Sequence, residues 1–184
     1  MIPIEREFGS LKRLRGTPMA AASYFIGKSI LVFVTMIIQV SLLLVAGVAF
    51  FGVDLPTDPY KWFTFTWLII WGSAASTTLG IAFSAIPKSG RGASAVVSPV
   101  VIVLQFISGV FFIFTQLPTW MQNVAALFPL KWLTQGMRSV FLPDSFATQE
   151  VAQGWEHGKT ALILTAWLIA GFLIAIKTFR WERS

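Results

Sequence analysis

The chain has 184 residues, 55% of them hydrophobic and only 12% charged, with a mean hydropathy of +0.73. Soluble domains carry roughly 25% charged residues, so a chain this poor in charge cannot cover a water-facing surface, and an integral membrane protein is the leading class. The net charge of +6 does not indicate a nucleic-acid partner, because the basic residues fall in short blocks between apolar stretches, where membrane topology accounts for them.

The first element is a charged amphipathic segment. Ile4, Phe8, Leu11 and Leu14 fall on one face of a helix, with Glu5, Arg6, Lys12 and Arg13 mostly away from it. Pro3 suits the start of that helix, Glu5 and Glu7 complement its first turns, and Lys12, Arg13 and Arg15 its last. Gly16 is placed to end it; Thr17 and Pro18 read as the cap and first position of the next helix.

Residues 29–53 then run without a charge, long enough for a bilayer core that needs about 20 residues. A turn-rich loop with Asp54, Asp58, Pro56 and Pro59 leads to a second uncharged span, residues 62–86, and a tight basic loop around Lys88 and Arg91 leads to a third, residues 93–117. Pro99 predicts a kink in its first third. The stretch 118–142 is apolar but broken by Pro118 and Pro129, and it carries Lys131 and Arg138. Two short amphipathic helices, residues 119–127 and 130–141, fit it better than one span, lying in or dipping into the interface. A polar loop follows, then a last span over residues 160–177 and a basic, aromatic tail.

Charge sets the orientation. With the N-terminus in the cytosol, Arg6, Lys12, Arg13, Arg15, Lys88, Arg91, Lys177, Arg180 and Arg183 are cytosolic. The external loops hold Lys61, Lys131, Arg138 and Lys159 but also Asp54, Asp58, Asp144, Glu150 and Glu156, so the basic excess is inside. Both termini then lie in the cytosol. The expected fold is all-α: four transmembrane helices, an N-terminal cytosolic amphipathic helix and short external re-entrant helices, in one membrane domain over residues 1–184.

Gly72, Ser76, Gly80 and Ser84 recur every four residues in the second span. Such a stripe lets another helix approach closely, either within the chain or at a dimer or gating interface. Gln39 and Gln105 lie near the middles of their spans, where a lone amide needs a partner. They read either as interhelical glue or as polar contacts in a translocation cavity, with Phe106, Phe111, Phe112 and Phe114 supplying ring surface. No expected span contains Asp, Glu, Arg or His. Ion-coupled carriers hold such groups at mid-membrane, so energy is expected to arrive from outside the membrane domain.

Chemistry is absent from the sequence pattern. There is no Cys, and the lone His157 has no second His or Cys to share a metal, so it reads as a solvated loop residue. Gly27, Lys28 and Ser29 mimic the end of a phosphate-binding loop, but the full pattern needs a glycine where Ala22 stands, and a preceding strand. Neither a metal nor a cofactor site is expected on this chain, and no catalytic constellation is found.

Three motifs carry a family likeness. EREFGSLKRLRGTP at residues 5–18, followed by SYFIGK at residues 23–28, resembles the segment before the third membrane helix of ABC-2 type exporter permeases. Those include the daunorubicin-resistance type of bacterial drug exporter and, more distantly, the eukaryotic G-subfamily transporters. Residues 108–142 are similar to the same family's fifth helix and external re-entrant helices, and residues 178–182 to its C-terminus. The resemblance implies a permease subunit in the inner (plasma) membrane. It would work with an ATP-binding cassette ATPase subunit that holds ATP and Mg, and with a second permease chain, as a homo- or heterodimer. Glu5, Arg6, Glu7, Phe8, Leu11 and Lys12 would form the helix that couples to the ATPase. The family usually has six spans, a first pair preceding the coupling helix, whereas four follow from this sequence. An exporter of an amphipathic drug, lipid or glycolipid is expected; the alternative is a truncated or regulatory subunit that pairs with a full-length permease and does not transport alone.

Overall fold

A computed structural model describes residues 21–83 and 90–178. Among them are six α-helices: α1 (Ala21–Phe51), α2 (Pro59–Phe83), α3 (Gly90–Ile107), α4 (Thr119–Ala126), α5 (Pro129–Phe141) and α6 (His157–Thr178). Short 3-10 turns occupy Phe114–Gln116 and Asp144–Gln149, and no strand occurs among the described residues. The expected amphipathic helix at the N-terminus lies outside the described residues.

Local chemistry explains the helix ends. Gly52, at φ +61°, lets the chain leave α1 while Val53 N–H bonds back to the Gly47 carbonyl at 3.1 Å. Asp58 caps α2: its Oδ1 accepts from Tyr60 N–H at 2.9 Å, and Pro59 at the first position lacks the N–H that would go unsatisfied there. Pro129 opens α5 in the same way, and Leu142 and Pro143 follow its end.

The third span departs from its expected extent. It was expected over residues 93–117, but α3 stops at Ile107. Gly109 adopts φ +79°, a left-handed conformation that turns the chain, and Arg138 Nη1 donates to the Gly109 carbonyl at 3.2 Å. Residues 108–117 therefore fold back toward α5 instead of continuing the helix. Pro99 sits within a continuous α3.

Helices α2, α5 and α6 form the packed heart. Leu68, Val140 and Leu164 are its buried centre, with Phe65, Leu133, Met137 and Phe141 packed around them. Close approach depends on glycine. Leu68 of α2 lies over Gly136 of α5, where an added Cβ would meet its Cδ2 at 2.7 Å; Leu133 of α5 lies over Gly72 of α2, where a Cβ would meet Cδ2 at 2.6 Å. As numbers rise along α2 they fall along α5, so the two helices run antiparallel. Gly171 of α6 abuts α2 backbone, since a Cβ there would lie 3.1 Å from the Leu79 nitrogen.

By contrast, α1 packs chiefly on α2, and none of the apolar stretch Ile26–Phe51 is buried. A helix that is apolar all round and exposed cannot rest in water. Among the described residues two stretches, Ile26–Phe51 and His157–Ile174, are long and apolar enough to cross a membrane.

The glycine contacts give a direct test. Gly171→Ala should lower stability by about 1–3 kcal/mol through overpacking, because backbone cannot move aside as a side-chain tip can. Gly80→Ala, with nothing within 4 Å of the new Cβ, should be neutral or stabilising by up to ~1 kcal/mol. Thermal unfolding of the two variants in the same detergent would decide; equal losses would contradict the packing described.

Candidate functional site

The starts of α2 and α6 and the end of α5 meet at one polar end of the bundle. There α5 turns a row of polar residues, Lys131, Gln135 and Arg138, toward the loop that leads to α6. Lys131 is 4% exposed. Its Nζ donates to Gln135 Oε1 at 2.6 Å, lies 3.9 Å from Glu156 Oε2, and sits 3.6 Å from the Trp132 ring centroid. Gln135 Nε2 in turn donates to the Gly154 carbonyl at 3.2 Å. Arg138 makes a fork: Nε and Nη2 both reach Glu150 Oε1 at 2.8 Å, while Nη1 holds Gly109. From the other side, Lys61 of α2 donates to the Leu142 carbonyl at 2.9 Å and lies 3.5 Å from Asp144.

Burial pushes the Lys131 ammonium below its ordinary pKa, and the nearby carboxylates of Glu156 and Glu150 offset only part of that shift. The spacing of Lys131, Gln135 and Arg138 over two helical turns, opposite Glu150 and Glu156 in a polar loop, was the signal available in the sequence. In the sequence only Lys131 and Arg138 stand out, as external basic residues of interfacial helices.

Beside this network lies a cavity of about 410 Å³ whose lining includes Asp58, Lys61, Thr64, Asp144, Trp155 and His157. His157 corrects the sequence-based expectation of a solvated loop residue. It is the first residue of α6, half-buried, with its ring edge-on to Trp67 at 6.4 Å between centroids. Its Nδ1 and the Trp155 Nε1 are buried without a hydrogen-bond partner among the described residues. The cavity is a polar niche; among the described residues no group of three or more His, Cys, Asp or Glu is placed to hold a metal.

Residues 1–142 match the family model described as ABC-2 type transporter. The chain belongs to this family. Neither the curated proteins nor the solved structures contain a significant match to it. The match covers most of the chain, from the charged N-terminal segment to the end of α5, and makes it a membrane component of an ABC transporter. ABC-2 domains of this kind are permease domains, not catalytic themselves, and generally work with an ATP-binding subunit.

Within this ABC-2 domain the residues singled out by sequence fall in different places. Glu5, Arg6, Glu7, Phe8, Leu11 and Lys12 lie outside the described residues. Gln39 is exposed on α1 and Gln105 half-buried on α3. Phe111 and Phe112 follow α3 instead of lying in it, and both pack on Phe106 with tilted rings, at 5.1 and 5.6 Å between centroids. The structure gathers these three rings on an outward surface; among the described residues no hydrogen bond or ring contact joins them to either glutamine, and none of these residues lines the cavity above.

The four-residue stripe is also divided. Gly72 is buried, but Ser76 and Gly80 are exposed, and Ser84 lies outside the described residues. At 3.6 residues per turn, each step of four advances about 40° around the helix, so a strict row slews off the contact face. The face actually used by α2 runs through Thr64, Leu68, Gly72 and Ala75, and the glycines it meets, Gly136 and Gly171, were not singled out by the sequence pattern.

Two outcomes follow for the network. Arg138→Ala strands Glu150, which is 8% exposed, and should cost about 3 kcal/mol or more. Replacing both partners by Met and Leu should recover part of that, measured by denaturant unfolding in detergent. For Lys131 the folded pKa lies below the unfolded value of 10.5. Between the two values the unfolded chain binds more protons, so stability rises with pH there. Wild type should therefore gain stability relative to Lys131→Met as pH climbs toward 10.5; a falling difference would contradict the burial.

Proposed function

We propose that this chain is the membrane-spanning permease subunit of an ATP-binding cassette exporter. It moves an amphipathic drug, lipid or glycolipid outward, with energy from a separate ATPase subunit that binds ATP and Mg, and it pairs with a second permease chain in the plasma membrane. The observation that carries this reading is the family match over residues 1–142. A second supports it: the apolar middles of the spanning helices, residues 29–51, 62–83, 97–107 and 160–176, hold no ionisable group. A carrier driven by protons or ions needs one there. In this reading both termini are cytosolic, the polar end of the bundle faces outward, and Glu5, Arg6, Glu7, Phe8, Leu11 and Lys12 dock on the ATPase.

The test is co-reconstitution with an ABC ATPase subunit in lipid vesicles. An amphipathic fluorescent dye should be transported only with ATP and Mg. Glu5→Ala with Glu7→Ala should lower permease-stimulated ATP hydrolysis by roughly tenfold, the scale of a typical coupling energy. Transport that survived ATP depletion and collapsed with the proton gradient would overturn the proposal, and unchanged hydrolysis would remove the coupling role.

A further inference from the structure

We propose that the exposed face of α1 is where a second copy of this chain docks, the two α1 helices running parallel and their Gln39 amides bonding to each other across a two-fold axis at mid-membrane. That the pair is a transporter rests on the permease reading; the contact between the copies does not.

Helix α1 has a covered side and a bare one. Phe33, Met36, Val40, Leu44 and Gly47 are half-buried and mark the side turned to α2, on which α1 chiefly packs. Roughly a third of the way around the helix runs a second row: Val32, Thr35, Gln39, Leu42, Ala46 and Ala49. Of these only Ala46 is half-buried; the others are exposed. The steps along the row alternate three and four residues, the heptad spacing that keeps a straight seam between two helices.

Gln39 sits in the middle of this row. It lies ten residues after Ser29, where the uncharged stretch begins, and twelve before Phe51, where α1 ends. At 1.5 Å per residue that is roughly 15–18 Å from either end, the centre of a bilayer core about 30 Å thick. Lipid tails give an amide nothing to bond, and among the described residues the Gln39 side chain has no hydrogen bond. Thr35, one turn away, solves the same problem within its own helix: its hydroxyl donates to the Leu31 carbonyl at 2.7 Å. An amide has two N–H groups and a carbonyl oxygen to satisfy, and the helix carbonyls beside it are already taken by intrahelical bonds.

A second Gln39 supplies what the first lacks. Each amide donates an N–H to the other's carbonyl oxygen, and such a reciprocal pair suits a two-fold contact, in which both partners present the same patch. Copies inserted with the same orientation place α1 parallel to α1, so each residue of the row faces its own counterpart. No charge falls between Ser29 and Val53, so two identical faces meet without repulsion. Ala46 and Ala49 keep one half of the seam thin enough for close approach. Other occupants fit less well. A lipid headgroup does not reach this depth, an apolar helix leaves the amide unpaired, and a charged one brings into hydrocarbon an ion that an amide cannot neutralise.

The chain has no cysteine, so single cysteines report without interference. The full chain carries one cysteine at Thr35, Leu42 or Ala49 in the row, or at Val34, Val45 or Val48, which are equally exposed on the remaining third of the helix. Each variant is oxidised in lipid vesicles with copper phenanthroline. The row positions should give disulfide-linked dimers, since like residues facing across such a seam come within the roughly 4.4–6.8 Å Cα separation that a disulfide needs, and the three valine positions should not. In a second measurement, chains labelled with donor or acceptor dye through Asp54→Cys, in the loop after α1, are diluted in lipid. Energy transfer should show that Gln39→Leu weakens self-association by roughly tenfold, about 1.4 kcal/mol, and that Gln39→Asn, which keeps an amide, weakens it less. Cross-linking that is absent from the row, or equal at row and valine positions, overturns the inference, and so does a Gln39→Leu chain that associates like wild type. The cysteine series retains Gln39 and decides the face even if Gln39→Leu fails to fold. ATP-driven transport by a chain that does not cross-link along the row defeats this inference and leaves the permease reading standing; row-specific dimers without ATP-driven transport do the reverse.

Discussion

Lys131 remains buried only because its surroundings are complete. The Gln135 amide, the Glu156 carboxylate and the Trp132 ring enclose the ammonium, and two of the three lie on its own helix. The third comes from the loop that begins α6. A charge in this position cannot be left half-paired, since an uncompensated buried ion costs several kcal/mol. The loop over residues 143–156 therefore has little freedom. It is held by Glu156 and Gly154 below, by Glu150 beside Arg138, and by Asp144 beside Lys61. Such pairs add little net stability against a hydrophobic alternative, but they fix one arrangement of chain where apolar packing would allow several.

That arrangement joins two layers of the molecule. Arg138 reaches Glu150 with one edge of its guanidinium and Gly109 with the other, so the loop before α6 and the turn after α3 are fastened to the same residue. Helix α6 is tied again lower down, where the Trp167 indole donates to the Leu127 carbonyl at 2.7 Å and stacks on Phe128. The polar end and the middle of the bundle are thus one continuous body made of α2, α5 and α6, while α1 is attached to it along α2.

Composition and run length made the helical membrane class legible, because a chain with so few charges has no other way to solve its surface problem. Breaker residues made the division at Pro118 and Pro129 legible, since proline fixes where a helix can start. The end of α3 was not legible: the run of apolar residues continues past Ile107, and what stops it is a left-handed glycine held by an arginine twenty-nine positions away. The glycine contacts were hidden for a related reason. Whether a glycine packs or faces outward depends on which neighbour it meets, and Gly136 and Gly171 look no different in sequence from Gly80. His157 was misread because a lone histidine in a polar stretch carries no sign of the tryptophans around it.

The paired exchange of leucine for glycine between α2 and α5 has a mechanical corollary. Leu68 sits on Gly136 and Leu133 on Gly72, like two pegs each seated in the other helix's notch. Sliding the helices along one another would lift both pegs onto ridges of side chains at once. The contact therefore resists shear far more than rotation of the pair as a unit. Any motion imposed on α2 from one end is delivered at the other by α2, α5 and α6 turning together, with the polar end carried along undistorted.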